Sequence, residues 1–493
     1  GCPALDGQLR SGLAQRTKRL TPYSLKPVFY RLLPDHETLI LVDLAPNGRA
    51  VARRFNTTTG EMGELFNQPK ADAYAVDVAG RHLYALTQGA VERTDLTTGE
   101  TKAFPLDTTM DIDVRGEGAH WFHHFWRLTR DKFYEPTMHG RDWEAIRARY
   151  TRFLPHLATW EEFAELLSEM AGELNASHMG CAYREAAPIA QHTASLGLYF
   201  DDTHEGPGLR IAAVLPGGPA DITGSSLRPG TLVLTLDREM LSAHTDLDQL
   251  LNGMTDTAVQ LLVQVPGAKQ TEIATVVPIS QEQAVELRYA QWVAERKALT
   301  ERLSGGRLGY IHLPAMDTAA YKQAYSEVIG DYRNKEGLVV DVRYNAGGNL
   351  HDQLITLFTG EVVAAFTNRR NEIVGRMPTG RWARPTVLVQ NASSYSDGSI
   401  FPHLYRRQKL GPIVGDRVPG TGTAAWWLAP MKGALKWGIP QLGARDFRTG
   451  WFENQEIAPD RLVRTDPAAI AAGRDPQLEA AVAALLKKLP RKD

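Results

Sequence analysis

Ser396 stands in a setting that suits a nucleophile. The run Thr386-Val-Leu-Val389 is short and apolar and predicts a buried strand; Ile400 to Lys409 is apolar-periodic and predicts a helix. Between them lies Asn391-Ala-Ser-Ser-Tyr-Ser396-Asp397-Gly398-Ser399. A serine at a strand-to-helix junction has its hydroxyl exposed at the strand end, where the first N–H groups of the helix point at whatever it attacks. That geometry suits attack on a carbonyl through a covalent intermediate. Ser, Asp and Asn also make ordinary helix N-caps, so the segment alone fits either role.

A base and a glycine turn are also present. Glu173-Leu-Asn-Ala-Ser177-His178 ends a helix predicted to begin near Thr159, and the imidazole of His178 titrates near neutral pH, as a general base should. Gly337-Leu-Val-Val-Asp341-Val-Arg343-Tyr-Asn345-Ala-Gly347-Gly348-Asn349 reads as a buried strand followed by a glycine turn. Glycine there lets the backbone approach a substrate without a Cβ in the way. Asp341 and Arg343 read as a structural pair bracing that turn. The histidines show no metal-ligating spacing such as His-Glu-x-x-His, so no metal and no cofactor are expected. Taken singly, His178 also fits a satisfied structural histidine, Glu453 a surface carboxylate, and Ser177 a residue of the last helical turn.

The order of these segments carries a resemblance. A buried strand, the Asp-x-Arg-x-Asn-x-Gly-Gly turn, the serine turn and then Gly411-Pro-Ile-Val-Gly415-Asp-Arg-Val-Pro-Gly420-Thr421-Gly422 resemble the C-terminal-processing serine peptidases. Those enzymes pair the serine with a lysine, and Thr421 stands at that position here. Phe133-Tyr-Glu-Pro-Thr-Met-His139-Gly-Arg-Asp-Trp143, the Ser177-His178 segment and Phe452-Glu453-Asn454-Gln455-Glu-Ile-Ala-Pro459-Asp460 instead resemble the tricorn protease family, over roughly residues 115–490. The resemblance implies a serine peptidase acting on peptides or oligopeptides, with Ser396 as nucleophile, His178 as base, and Ser177 and Glu453 as a relay behind the imidazole. The oxyanion of the tetrahedral intermediate needs preorganised N–H donors. The candidates are the Asp397 amide and that of Gly347 or Gly348. A catalytically silent peptide-binding protein on the same crotonase-like scaffold is the alternative, and an esterase a third reading. Tricorn-type enzymes carry an acidic residue that selects basic side chains, but Phe366-Thr-Asn-Arg369-Arg370-Asn-Glu372 is basic except for Glu372, so acidic or carboxylate-ended substrates come into view.

The elements that would position these residues form a multidomain α+β and α/β chain of 493 residues. Residues 1–114 contain Thr-Thr-Gly-Glu twice, with Gly60 and Gly99 separated by 39 residues, each after an alternating strand. A period near 40 suggests about two blades at the end of an incomplete β-propeller. Residues 115–187 read as a helical first catalytic subdomain. Residues 188–282 resemble a PDZ-like domain in which Gly197 of Leu196-Gly-Leu would help bind a peptide terminus or serve as a structural turn. Residues 283–493 read as a crotonase-like α/β second catalytic subdomain, closed by an amphipathic helix, Pro476 to Leu489, with Lys487 and Lys488 in its last turn. Arg474-Asp-Pro-Gln477-Leu478 before it matches the closing pattern of the family.

Composition sets outer bounds. A net charge of −2 gives no reason to expect nucleic acid or a membrane surface as partner, and 43% apolar residues suffice for several cores. No apolar run is long enough to predict a spanning helix. Two cysteines, Cys2 and Cys181, cannot make a disulfide framework, and Cys181 reads as a small buried residue. A cytoplasmic location and, by the resemblance, a homo-oligomer are expected. The chain opens on Gly1-Cys2 rather than methionine, which is read as an upstream segment having been removed.

Overall fold

The computed structural model describes residues 27–490, apart from 46–48, 69, 88–89, 106–113, 185–191, 362, 368, 371–372 and 379. The chain forms two compact units, divided after Asp113. The first holds two four-stranded antiparallel meanders, Pro27–Leu32 to Met62–Gln68 and Ala73–Val76 to Thr101–Pro105. The sequence repeat has one physical meaning in both. Asn56 Oδ1 accepts the N–H groups of Thr58 and Thr59, and Asp95 Oδ1 accepts those of Thr97 and Thr98. Gly60 and Gly99 then take left-handed φ of 82° and 76° and close the turn before the fourth strand.

The second unit begins with three helices, Val114–Lys132, Trp143–Thr151 and Trp160–Gly172. The last starts where its sequence says: Thr159 and Glu162 form a reciprocal capping box. Phe122, Phe125, Phe163, Leu167 and Met170 form a core with Leu435, Trp437 and Ile439, residues some 270 positions downstream by their numbering. The link is a sheet. Strand Gly180–Tyr183 pairs antiparallel with Leu435–Gly443, which pairs on its other edge with Thr423–Leu428.

Residues 194–280 have their own core around Ile211, Val233, Leu236, Leu261 and Val263, under antiparallel strands. Entry and exit strands Ala194–Ser195 and Ile279–Ser280 pair with each other, so the segment leaves and rejoins the unit at one point. Ser280 then caps the long helix Gln281–Ser304.

The remainder is a five-stranded parallel sheet in sequence order: Leu308–His312, Gly337–Asp341, Thr386–Gln390, Ile413–Gly415 and Arg461–Leu462. Both faces are covered, as parallel sheets require. Leu338, Val340 and Leu388 face helices His351–Phe358 and Asp397–Arg407; Val339, Val387 and Val389 face the C-terminal helix. That helix spans Pro476–Leu486 and is buried along most of its length, so it is a cover for the sheet rather than an amphipathic surface tail; Lys487 is its C-cap. The serine helix starts at Asp397, three residues before the apolar pattern begins, because Asp397-Gly398-Ser399 are polar or small yet buried in its first turn.

Candidate active site

Ser396 sits at the N-cap of helix Asp397–Arg407 with φ 56° and ψ −123°, a conformation that L-residues rarely adopt. Its surroundings hold it there. Its N–H donates to Thr421 Oγ1 at 2.7 Å, and its carbonyl accepts from Ser399 N–H at 2.8 Å. Tyr395 N–H donates to the Asn345 carbonyl at 2.9 Å. Thr421, at the position where the lysine of the related peptidases would stand, thus braces the backbone of the serine turn. The neighbouring serines are engaged elsewhere: Ser394 donates to the Val342 carbonyl at 2.8 Å and Ser399 to the Pro419 carbonyl at 2.6 Å. Ser396 Oγ is half-buried and makes no hydrogen bond among the described residues.

The histidine side is built by the shared sheet. Strand Gly180–Tyr183 begins two residues after His178, and the His178 carbonyl lies against Gly438, where a Cβ would meet it at 2.4 Å. Asn175 and Asn454 lock the approach reciprocally: Asn454 Nδ2 donates to the Asn175 carbonyl at 2.8 Å and Asn175 Nδ2 to Asn454 Oδ1 at 3.2 Å. Ser177 N–H donates to Glu453 Oε1, and Ser177 Oγ to Oε2 at 2.9 Å. Gly422 N–H also donates to Oε2, at 2.7 Å. The Glu453 carboxylate is buried, so these donors stand in for water.

His178 Nδ1 lies 3.1 Å from Ser177 Oγ and 3.0 Å from Thr423 Oγ1. Ser177 Oγ–H donates to Glu453 Oε2, and the Thr423 hydroxyl, 2.7 Å from Ser177 Oγ, is also within donating reach of the Ser177 carbonyl at 3.0 Å. With both hydroxyl protons so engaged, the two oxygens present lone pairs to Nδ1, an arrangement that favours the proton on Nδ1 and leaves Nε2 as the basic nitrogen. Burial alone moves the imidazole pKa, below its ordinary value of 6.5. No hydrogen bond joins His178 to Ser396 Oγ in this structure. The imidazole is held beside the serine turn through Tyr395, whose hydroxyl accepts the His178 backbone N–H at 2.9 Å and whose ring centroid is 4.9 Å from the imidazole. A cavity of about 410 Å³ opens on the Ser177–Glu453 side, lined in part by Asn175, Ser177, Tyr395, Thr421 and Glu453; neither His178 nor Ser396 lines it.

The glycine turn touches the serine from the other side. A Cβ on Gly347, whose φ is +92°, would lie 2.6 Å from Ser396 Cβ; one on Gly348 would lie 2.2 Å from the Met316 carbonyl oxygen. Only glycine fits either place. Gly347 N–H is already donated to Asn345 Oδ1 at 2.8 Å. The N–H groups of Gly348 and Asp397 have no acceptor among the described residues. Ala346, inside the turn, is not among the residues of positive φ; Tyr344 is, at 61°. Upstream, Arg343 donates to Asp341 and Asp475 and also to Gln477, all buried, which explains the closing pattern before the last helix.

Ser396, His178, Ser177, Glu453, Asp397, Gly347 and Gly348 thus lie in one neighbourhood. Gly197 belongs to the separate 194–280 core; its φ of +66°, its N–H on Ser195 Oγ at 3.2 Å and its contact with Pro219 account for the glycine. Glu372 lies outside the described residues, and the strand Ala364–Thr367 before it is exposed. Cys181 is partly buried, its thiol pushed up to about 12 by desolvation. Among the described residues no cluster suited to a metal ion occurs, and no helix is long and apolar enough to cross a membrane. Thr423, Tyr395, Asn345 and His351 were missed as site residues. Thr423 alone had a usable signal, lying two residues beyond Thr421 at the head of an apolar strand.

Residues 307–463 match Peptidase family S41, and residues 116–172 match the tricorn protease C1 domain. Tricorn protease homolog 1 of Streptomyces coelicolor is 29% identical over 85% of this chain and 40% of its own length. The tricorn protease of Thermoplasma acidophilum is 24% identical over 96% of this chain and 46% of its own. A crystal structure of the tricorn protease superposes with a TM-score of 0.77 at 19% identity, over 95% of this chain and 47% of that one. The chain is similar to the tricorn proteases over most of its own length. It spans less than half the length of these relatives.

Proposed function

We propose that this chain hydrolyses peptides, with Ser396 as nucleophile and His178 as general base. Ser396 Oγ attacks the carbonyl carbon while its proton passes to His178 Nε2. The imidazolium, held through Nδ1 by Ser177 and Thr423, then protonates the leaving amine. Glu453 orients Ser177 and offsets the cation, the part that a carboxylate plays in the Ser-His-Asp arrangement. The Asp397 and Gly348 N–H groups receive the oxyanion; Gly348 is preferred to Gly347 because the Gly347 amide is engaged by Asn345. The absence of a His178–Ser396 bond agrees with catalytic contacts that close only around substrate.

The observation that carries this reading is the hydrogen-bonded line from His178 through Ser177 to Glu453, which joins residues 276 positions apart. A merely structural histidine would not need it. In the same reading, residues 27–105 are the end of a β-propeller, 194–280 a PDZ-like insertion and 308–462 a crotonase-like core, in a cytoplasmic homo-oligomer.

A fluorophosphonate probe should label wild type at Ser396 and leave Ser396→Ala unlabelled, in parallel with cleavage of fluorogenic peptides. Labelling at another serine, or peptide cleavage undiminished in Ser396→Ala, would overturn the assignment.

A further inference from the structure

His351 and Asp397 form a pair that the hydrolytic scheme does not use. His351 is the first residue of helix His351–Phe358, and Asp397 is the first residue of the helix behind Ser396. The two N-termini meet head to head. The Asp397 carboxylate accepts the His351 backbone N–H at 3.1 Å, satisfying a donor that the helix start leaves open. It also accepts from His351 Nδ1. Asp397 is almost completely buried, whereas the His351 ring reaches solvent with 28% of its side chain exposed.

This places an anion in an awkward position. The residue whose backbone N–H is offered to the oxyanion carries a buried carboxylate on its own side chain. A second negative charge developing on the far side of that amide would be opposed by it, in a medium that screens poorly. At a separation of ~6 Å and an effective dielectric near 20, two unit charges of like sign cost on the order of a hundredfold in an equilibrium. The two helix N-termini offset part of this. A proton on His351 Nε2 would offset most of the rest.

We propose that His351 is a positioning residue for this site: as a cation paired with Asp397, it neutralises that carboxylate and holds the first turn of the nucleophile helix so that the Asp397 N–H can receive the oxyanion. The proposal rests on the peptidase reading above and adds a regulatory element to it. Among the described residues, the charged groups acting on the ring are Asp397, from the nucleophile helix, and Asp352, on its own helix with Oδ1 3.5 Å from Nε2. Both favour the cation. The bond to Asp397 is the larger influence and raises the His351 pKa against the opposing effect of burial. His178 is displaced in the other direction. Two histidines driven apart in this way leave a window in which the base is neutral and the pair is charged. Activity should therefore fall on the alkaline side as His351 loses its proton.

The test compares kcat and KM across pH in wild type, His351→Asn and His351→Lys. Asparagine keeps a neutral donor near the place of Nδ1, and lysine keeps a cation at alkaline pH. The expected results are an alkaline limb in wild-type kcat with a pKa above 6.5, a drop of roughly 10- to 100-fold for His351→Asn with that limb abolished, and recovery of kcat in His351→Lys without the limb. KM should move less than about threefold, since substrate binding precedes the charge. A purely structural histidine would change Tm but not the pH profile. An NMR titration of the His351 ring in Ser396→Ala gives a reading independent of how the variants fold: a pKa at or below 6.5 overturns the proposal. Stoichiometric labelling of wild type by a fluorophosphonate separates the two claims. Labelling with an unmoved His351→Asn profile sinks the His351 role alone, whereas wild type that neither labels nor cleaves sinks the peptidase reading and this proposal together.

Discussion

Glu453→Gln is the sharpest probe of the relay, because the change is nearly isosteric and every partner of the carboxylate is a donor. Oε1 accepts Ser177 N–H, while Oε2 accepts Ser177 Oγ–H and Gly422 N–H. A glutamine offers one oxygen and one NH₂. Its better orientation keeps oxygen at the Oε2 position and turns the NH₂ against Ser177 N–H. One buried donor is then orphaned, at a cost of about 1–3 kcal/mol, and two bonds fall from charge-assisted to neutral strength, about 1 kcal/mol each. The sum, about 3–5 kcal/mol, is in the range found when one partner of a buried charged group is removed. Tm should fall by about 4–6 °C, given the size of the second unit. Activity should suffer more than the fold does. With Ser177 displaced, Nδ1 loses its fixed acceptor and the tautomer that frees Nε2 is no longer favoured, so kcat/KM should drop by about 10²- to 10⁴-fold, mostly in kcat. Thermal unfolding and steady-state cleavage of a fluorogenic peptide, measured on one preparation, give both numbers. A variant with lowered Tm but kcat/KM within threefold of wild type would show that Glu453 only ties two segments together, and the relay would have to be abandoned.

Three further outcomes follow from the same geometry. Ser396→Ala should lose peptidase activity by orders of magnitude with Tm nearly unchanged, since the hydroxyl makes no hydrogen bond; retained turnover would exclude the nucleophile assignment. The acid limb of kcat/KM should lie below 6.5, because burial depresses the His178 pKa and the base is competent once deprotonated. For stability the sign is the same: a depressed imidazole is fully stabilising above 6.5 and loses that contribution as pH falls toward its folded value. A limb well above 7 in a buffer series would contradict this, as would an active His178→Ala enzyme. Gly347→Ala should cost about 2–4 kcal/mol, from the left-handed φ of +92° and a Cβ placed 2.6 Å from Ser396 Cβ, and should lower kcat at least 100-fold by displacing the serine; wild-type kinetics with an unshifted Tm would refute the close packing.

Much of this site was legible because its residues obey local rules. The Thr159 cap, the buried strand Thr386–Gln390 and the two glycines of the turn are each dictated by a few neighbouring residues, so position and role could be read together. The repeated Thr-Thr-Gly-Glu was legible for the same reason, as an Asx turn closed by glycine. What was hidden depends on contacts across long sequence separations. Thr423 looks like any strand residue until the Gly180–Tyr183 strand brings Ser177 and His178 to it. The choice between Gly347 and Gly348 turns on where Asn345 Oδ1 points, which no spacing reveals. The buried first turn of the serine helix escaped the periodicity argument because Asp397 is hydrogen-bonded to His351, a partner 46 positions upstream.

Those separations also say how the site must assemble. His178 and Ser396 lie on segments that share no strand of the parallel sheet, and the connection between them runs through the whole 194–280 segment. That segment contributes no residue to the His178–Ser177–Glu453 line; its paired ends return the chain close to its point of departure. The geometry is set instead by the Gly180–Tyr183 pairing with Leu435–Gly443 and by the aromatic core around Trp437 beneath it. Strand pairing fixes register to one residue, and a slip of one would turn every side chain of Gly180–Tyr183 to the opposite face. It would also draw Ser177 away from Glu453. Packing under the strand therefore sets where His178 stands relative to Ser396, and the buried Trp437, without polar contact to Ser396, helps to hold that register.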